Sequence, residues 1–373
     1  MSETINIETG DGSTNFTGKT VNVTNNIIQG LTEDKVSEII DKKLEMLKTA
    51  NVYTQEACNR AVGRIKKLEE IVIPRIAKID ETLGVFADPS FQSVLNDAVK
   101  VAAQTDEEES YKLLSELLSY KVEKPNDKSV KMDVAYAIDV IDKITDEALQ
   151  ALTLFVAIQI WVPASGIISC GLEAIDNLYS KLLYSDLPTN NNWIDQLDIL
   201  KVIRIQNFDI FPPLSELQKR LFPGYVVCGI SKTSEKLNEI YQLLDECSIP
   251  RTCLIENELD PDYYRLPLVS IKNIQHMDYI ETNNSFGSGQ IQLNQAQINN
   301  INKIISYYER DSVKLKKISE KFNEKWNSFE KLKIIGDWWS KLPYSFGITS
   351  IGKVLAITNA QRIDNTLPKI ELK

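Results

Sequence analysis

The 373-residue chain carries 42 Lys and Arg against 52 Asp and Glu, a net charge of −10, with only 15 Gly and 13 Pro. At ~150 residues per domain the length allows two or three folding units, and Gly plus Pro falls short of the roughly 12% of average usage, which predicts a helix-rich chain. The 43% hydrophobic and 25% charged content excludes collagen-like and wholly disordered classes, the acidic balance argues against non-specific binding to nucleic acid, and a single histidine, His276, excludes HExxH or multi-histidine metal chemistry.

In chain order, Ile5 and Ile7 alternate with Asn6 and Glu8, and Val21 and Val23 with Asn22 and Thr24, around a Gly/Asp/Ser/Asn connection. Period-two alternation of this kind predicts a β-ribbon over residues 1–30. A two-stranded ribbon is marginal alone, so pairing with copies in other subunits is one solution. Thr32 caps a first helix through Val36, Ile39, Ile40, Leu44 and Leu47. A longer helix runs from Thr54 to Leu83, with Pro74 expected to kink or divide it. Asp88-Pro89 opens the next helix, and Asp106–Glu123, Ser129–Thr145, Asp146–Trp161 and Gly166–Tyr184 supply four more. Short connections between helices over residues 31–190 predict an α-helical bundle.

Residues 148–172 carry no charge over 25 positions, enough to span a ~30 Å hydrocarbon core. Pro163 and Gly166 interrupt the run, and neither half reaches ~20 residues, so a buried helical hairpin is expected, with membrane insertion as the alternative.

A short helix ending near Leu200 then leads into a strand at Lys201–Gln206. Strands at Tyr225–Ile230 and Thr252–Glu256 flank a helix at Ser234–Glu246, a βαβ pattern that predicts a small α/β module over 191–285. The stripe from Ile301 to Phe329 and a last helix from Thr349 to Arg362 close the chain over 286–373. The expected fold is therefore mainly α: a helical bundle with a short N-terminal β-ribbon and a small α/β insert, closing with C-terminal helices.

Few residue patterns carry chemistry. The module lacks both GxGxxG and GxxxxGK[ST], so Ser231 and Thr233, at the expected start of the module helix, are candidates only for a small anion or a plain helix cap. Glu256, Glu258, Asp260 and Asp262 alternate as hard oxygen donors, but the EF-hand glycine and closing glutamate are missing, and Arg265 is placed to pair with one of them. No cofactor or metal is expected. Residues 303–333 hold nine Lys/Arg and five Asp/Glu, a basic stretch whose aromatics fall on the apolar stripe. Trp338 and Trp339 diverge by ~100° on a helix, which would expose one as a partner anchor. The five cysteines contain no CxxC pair, and Met1–Asn15 is polar and acidic, not basic then apolar, so the chain is expected in the reducing cytoplasm.

Leu197–Arg204 and Thr349-x-x-Gly352-x-x-Leu355-Ala356 resemble the closing elements of helical bacterial proteins of the abortive-infection alpha type. Gly10-Asp11-Gly12-Ser13-Thr14 is similar to the β-leaders of bacterial conflict proteins. The wider pattern, including Phe86-Ala87-Asp88-Pro89 and Leu113-Leu114-x-Glu116-Leu117-Leu118, resembles an uncharacterised bacterial family. The two closing segments lie about 145 residues apart, which implies an insertion between them. The resemblance implies a bacterial, antiviral role and transfers no catalytic residue.

The expectation is thus a non-enzymatic, homo-oligomerising interaction or scaffold protein with a protein partner, using Ile5, Ile7, Val21, Val23, Trp338 and Trp339. The rival readings are an enzyme or nucleotide/anion sensor with its site in the α/β module, around Ser231, Thr233 and Glu256–Arg265, and a membrane-acting effector that exposes Ala148–Leu172. Nucleic acid is not an expected partner.

Overall fold

A computed structural model describes residues 31–49, 55–125, 127–206, 209–272, 274, 276–280 and 288–370. Ile5, Ile7, Val21 and Val23 of the expected leader ribbon lie outside the described residues. The chain divides into two units, residues 1–143 and 144–373.

In the first unit, α1 (Glu33–Thr49), α2 (Gln55–Ala77), α3 (Pro89–Gln104), α4 (Glu108–Glu123) and α5 (Lys128–Val140) pack as a bundle. Periodicity explains the packing. Ala61, Ile65, Leu68, Val72 and Ile76 bury one stripe of α2 against α3 and α4, each large side chain contributing ~1.5–3 kcal/mol. Helix α2 runs unbroken through Pro74 and stops at Ala77, short of the expected Leu83. The chain then turns, because the Asp80 carboxylate accepts from the Thr82 and Val85 amides and Leu83 adopts a left-handed φ of 51°. Asp88 caps α3 by accepting from the Phe91 amide at 2.9 Å, and Arg64 of α2 donates to the Ala103 and Gln104 carbonyls at the other end.

The second unit is organised around α6 (Asp146–Ile160). Its sequence carries no continuous polar face, and Ala148 through Ile158 are all buried, the expected state of such a helix. The uncharged stretch is therefore split between α6, a turn, and the start of α7 (Ile168–Leu182). Among the described residues no helix is long and apolar enough to cross a membrane. Polar groups inside α6 are satisfied: Gln150 exchanges two hydrogen bonds with the Ser185 backbone at 2.8 and 2.9 Å, and Thr153 accepts from Asn359 at 2.8 Å.

The two segments that carried the sequence resemblance meet here. Helix α8 (Asn192–Ile199) leads into β1 (Ile203–Gln206), which pairs antiparallel with β7 (Ser345–Ile348), Ile203 opposite Ile348. Thr349 then caps α14 (Ser350–Ile363) and also donates its hydroxyl to the Val202 carbonyl at 2.8 Å. Everything between β1 and β7 is inserted between these paired strands.

That insert comprises α9 (Leu214–Leu221), β2 (Ile230–Ser231), α10 (Leu237–Glu246), β3 (Ile255–Glu256), β4 (Tyr263–Arg265), β5 (His276–Ile280), β6 (Ser288–Gln292), α11 (Gln295–Ser306), α12 (Ser312–Asn327) and α13 (Glu330–Trp339). The sheet order is β2-β4-β3, with β4 antiparallel to both neighbours, so β2 and β3 run parallel as a split βαβ unit around β4. Its strands are shorter than expected. Tyr225–Gly229 is not strand, because Gly229 takes a φ of +92° and its backbone approaches the Tyr264 carbonyl too closely for any side chain. Thr252–Cys253 belongs to a 3₁₀ turn ahead of β3. The hairpin β5–β6, which includes His276, was not foreseen. Helix α11 contributes Ile301, Ile304 and Ile305 to the core that also holds Ile240, Leu244, Leu254 and Met277. The expected long C-terminal stripe is broken into α11, α12 and α13, with Asp311 capping α12 through the Val313 and Lys314 amides.

Candidate functional site

Three of the sequence candidates resolve into structural roles. Helix α10 begins at Leu237 with Lys236 at its cap position, so Ser231 and Thr233 do not cap it. Their hydroxyls lie 2.9 Å apart, and Ser231 Oγ accepts from the Thr233 amide in a local turn. The alternating carboxylates do not converge. Glu256 pairs with Lys232, whereas Glu258 and Asp260 pair with Lys325 and Lys321, one turn apart on α12. Burial raises the Glu258 pKa, but hydrogen bonds from Ser169 and Lys325 outweigh it and hold the group below its usual value. Among the described residues no group of three or more His, Cys, Asp or Glu gathers as a metal site.

Arg265 does not pair with these carboxylates, contrary to expectation. It is fully buried, and its guanidinium donates to the carbonyls of Gly166, Gly224 and Leu266. Its planar fork thereby ties the α6–α7 turn to the insert. Tyr225 reinforces this junction by donating to the Ser165 carbonyl.

Trp338 and Trp339 are both buried, at 7% and 4% exposure, so the expected exposed anchor is absent. The reason is that the partners come from distant segments. Trp339 stacks on Phe155 and donates its indole N–H to the Pro212 carbonyl at 2.9 Å, while Trp338 packs beside Trp193. Trp193 and Trp338 also border a cavity of about 360 Å³ near Asp186, Asp337 and Lys341.

The basic stretch is more informative. Lys303, Lys314, Lys321 and Lys325 are consumed in ion pairs with Glu239, Glu309, Asp260 and Glu258. No such pair engages Arg310 or Lys316 among the described residues, and both are exposed. They lie on the rim of an open groove of about 780 Å³, the largest of the cavities described here. Its floor is apolar: Pro223, Val226, Val227, Ile271, Ile305 and Leu315. Lys272 and Lys219 extend the basic rim, with Glu309 and Glu320 as the acidic members.

Local hydrogen bonding builds this groove. Glu309 donates its amide to the Gly229 carbonyl at 2.7 Å, accepts from the Arg310 and Asp311 amides, and binds Lys314. The Lys314 ammonium, hydrogen-bonded to Glu309, holds its carboxyl below the ordinary range, so its charge is locally neutralised. Tyr308 accepts from the Leu266 amide at 2.8 Å, fixing the end of α11 to the module. With Glu309 matched by Lys314 and Lys219 by Glu216, Lys272, Arg310 and Lys316 face the single unmatched carboxylate of Glu320. The first turn of α12, whose N-terminus carries partial positive charge, adds Ser312 and Leu315 to the same wall. The groove is thus cationic and apolar in a chain of net charge −10. Sequence inspection pointed to the basic stretch but not to the groove, because its walls come from three separated segments, Lys219–Val227, Ile271–Lys272 and Ile305–Glu320.

A protein-family model described as ":-like" matches residues 30–373. No curated protein and no solved structure matches the chain.

Proposed function

The chain belongs to the family described as ":-like", whose model spans residues 30–373; we propose that it is a non-enzymatic interaction protein that binds anionic, apolar protein segments. The observation that carries this reading is the groove between Val226, Ile305 and Leu315, with Lys272, Arg310 and Lys316 at its rim and in no ion pair among the described residues. An apolar floor favours desolvated aliphatic side chains, and the surplus of positive charge selects among them for acidic neighbours. The resemblance of Leu197–Arg204 and Thr349–Ala356 to abortive-infection proteins supports assigning the interaction to bacterial phage defence, in the cytoplasm, with the helical units as scaffold.

The test uses 1-anilinonaphthalene-8-sulfonate, an apolar anion whose fluorescence rises on burial. The folded chain should bind it, and Leu315→Asp or the double variant Arg310→Glu/Lys316→Glu should each weaken binding ~10-fold, equivalent to ~1.4 kcal/mol. Unchanged titrations in both variants, with circular dichroism intact, would refute the reading.

A further inference from the structure

Resting on the groove assignment above, we infer that the groove's occupant is residues 1–28 of a second copy of the same chain. The argument is one of complementarity between a cationic, apolar groove and an anionic segment with alternating aliphatic residues. The groove offers aliphatic floor residues Val226, Val227, Ile305 and Leu315 beneath the cations Lys272, Arg310 and Lys316. The leader offers Ile5, Ile7, Val21 and Val23 together with Glu3, Glu8 and Asp11 against one Lys19, a net charge of −2. Its period-two alternation sets apolar side chains on one side of an extended segment and Glu8 beside them on the other. An extended segment of six residues, Glu3–Glu8, spans ~20 Å, enough to lay Ile5 and Ile7 on the floor with Glu3 at one end and Glu8 at the other.

The charge signs make this pairing selective. Two copies that each carry −10 repel one another at long range, so association requires a local contact of opposite sign. The groove supplies the cationic half of that contact and the leader the anionic half. Such a contact is heterologous, since the leader of one copy meets a different surface on the next, and it generates a ring or a chain unless two copies exchange leaders reciprocally.

Light scattering on the full chain tests this, because substitutions in the leader alter no described helix or strand. The unaltered chain should run at a multiple of 42.3 kDa. Glu3→Lys/Glu8→Lys and Arg310→Glu/Lys316→Glu should each raise the dissociation constant at least ~10-fold, and combining all four should restore association, since the swapped charges again attract. The leader variant alone should also bind the anilinonaphthalene dye more tightly, because its groove is vacated. An unaltered chain that is monomeric, or an oligomer indifferent to both pairs of substitutions, would overturn the inference. Dye binding lost in the groove variant while the oligomer persists would sink the leader assignment and leave the groove reading standing. Loss of neither would remove both.

Discussion

Phe155 and Trp339 stack almost face to face, their ring centroids 5.1 Å apart and their planes within 5°. One sits in the middle of the longest uncharged stretch and the other at the end of α13, and Phe211 and Phe346 pack on the same ring of Phe155 at 4.9 and 4.6 Å. This cluster gives the apolar run a protein environment to fill. Phe155→Ala should therefore destabilise the second unit by ~3–5 kcal/mol, the usual cost of deleting a buried ring. Urea denaturation followed by tryptophan fluorescence measures it, and a loss below ~1 kcal/mol would show that the cluster is not closely packed.

Arg265 makes a second prediction. Hydrogen bonds to a charged donor contribute ~1.5–3 kcal/mol each, and a lysine ammonium cannot reproduce the fork that serves Gly166, Gly224 and Leu266. Arg265→Lys should cost ~2–4 kcal/mol on that scale. If stability is the same by chemical denaturation, the strut role assigned to Arg265 is wrong.

Glycines at close backbone approaches give a sharper steric test. A Cβ on Gly166 would fall on the Pro267 carbonyl, and one on Gly352 would fall on the Val202 carbonyl beneath the Thr349 cap. Neither obstacle is a flexible side-chain end. Gly352→Ala should lower the melting temperature by several degrees, whereas Gly63→Ala, which meets nothing within 4 Å, should leave it unchanged or raise it through better helix propensity, ~1 kcal/mol at most.

Acid should loosen the end of α14 in a predictable direction. The Asp364 carboxylate accepts from Lys181 at 2.8 Å and from Thr366, which hold its pKa down to about 2 from 3.8. A folded-state pKa below the unfolded value stabilises the protein above the unfolded pKa, and the contribution is lost as pH falls through the folded one. The stability difference between the natural chain and Asp364→Asn should thus be present at about pH 5 and shrink toward about pH 2. Thermal melts across that range decide it; a difference that grows with acid would contradict the assigned pairing.

Local pattern made the helices legible. The stripe Ala61–Ile76 in α2 and the helix starts at Asp88 and Thr349 mark helices that the structure forms. What escaped was non-local. Strands β1 and β7 are four residues each and lie 145 positions apart at Ile203 and Ile348, so no local period announces their pairing. Tyr225–Gly229 reads as strand by composition, yet the left-handed Gly229 forbids it. Arg265 stands near four carboxylates in sequence but is carried away from them by β4 into the buried junction. Trp338 and Trp339 diverge on their helix as expected, but Trp193 and Phe155 cover both. The groove was hidden for the same reason: Val226, Ile271, Ile305 and Leu315 share no motif, and only the surplus of Lys and Arg after residue 303 hinted at it.

The most direct measurement of the central claim is displacement of the bound anilinonaphthalene dye by two amphiphiles with the same tail and opposite heads, octyl sulfate and octyltrimethylammonium, both below their micellar range. An apolar floor under the cations Lys272, Arg310 and Lys316 predicts that the sulfate displaces the dye at a concentration ~10-fold lower or better, a difference of ~1.4 kcal/mol. Added salt should narrow that gap by screening the rim. Equal potency of the two heads, or preference for the cation, would contradict the account.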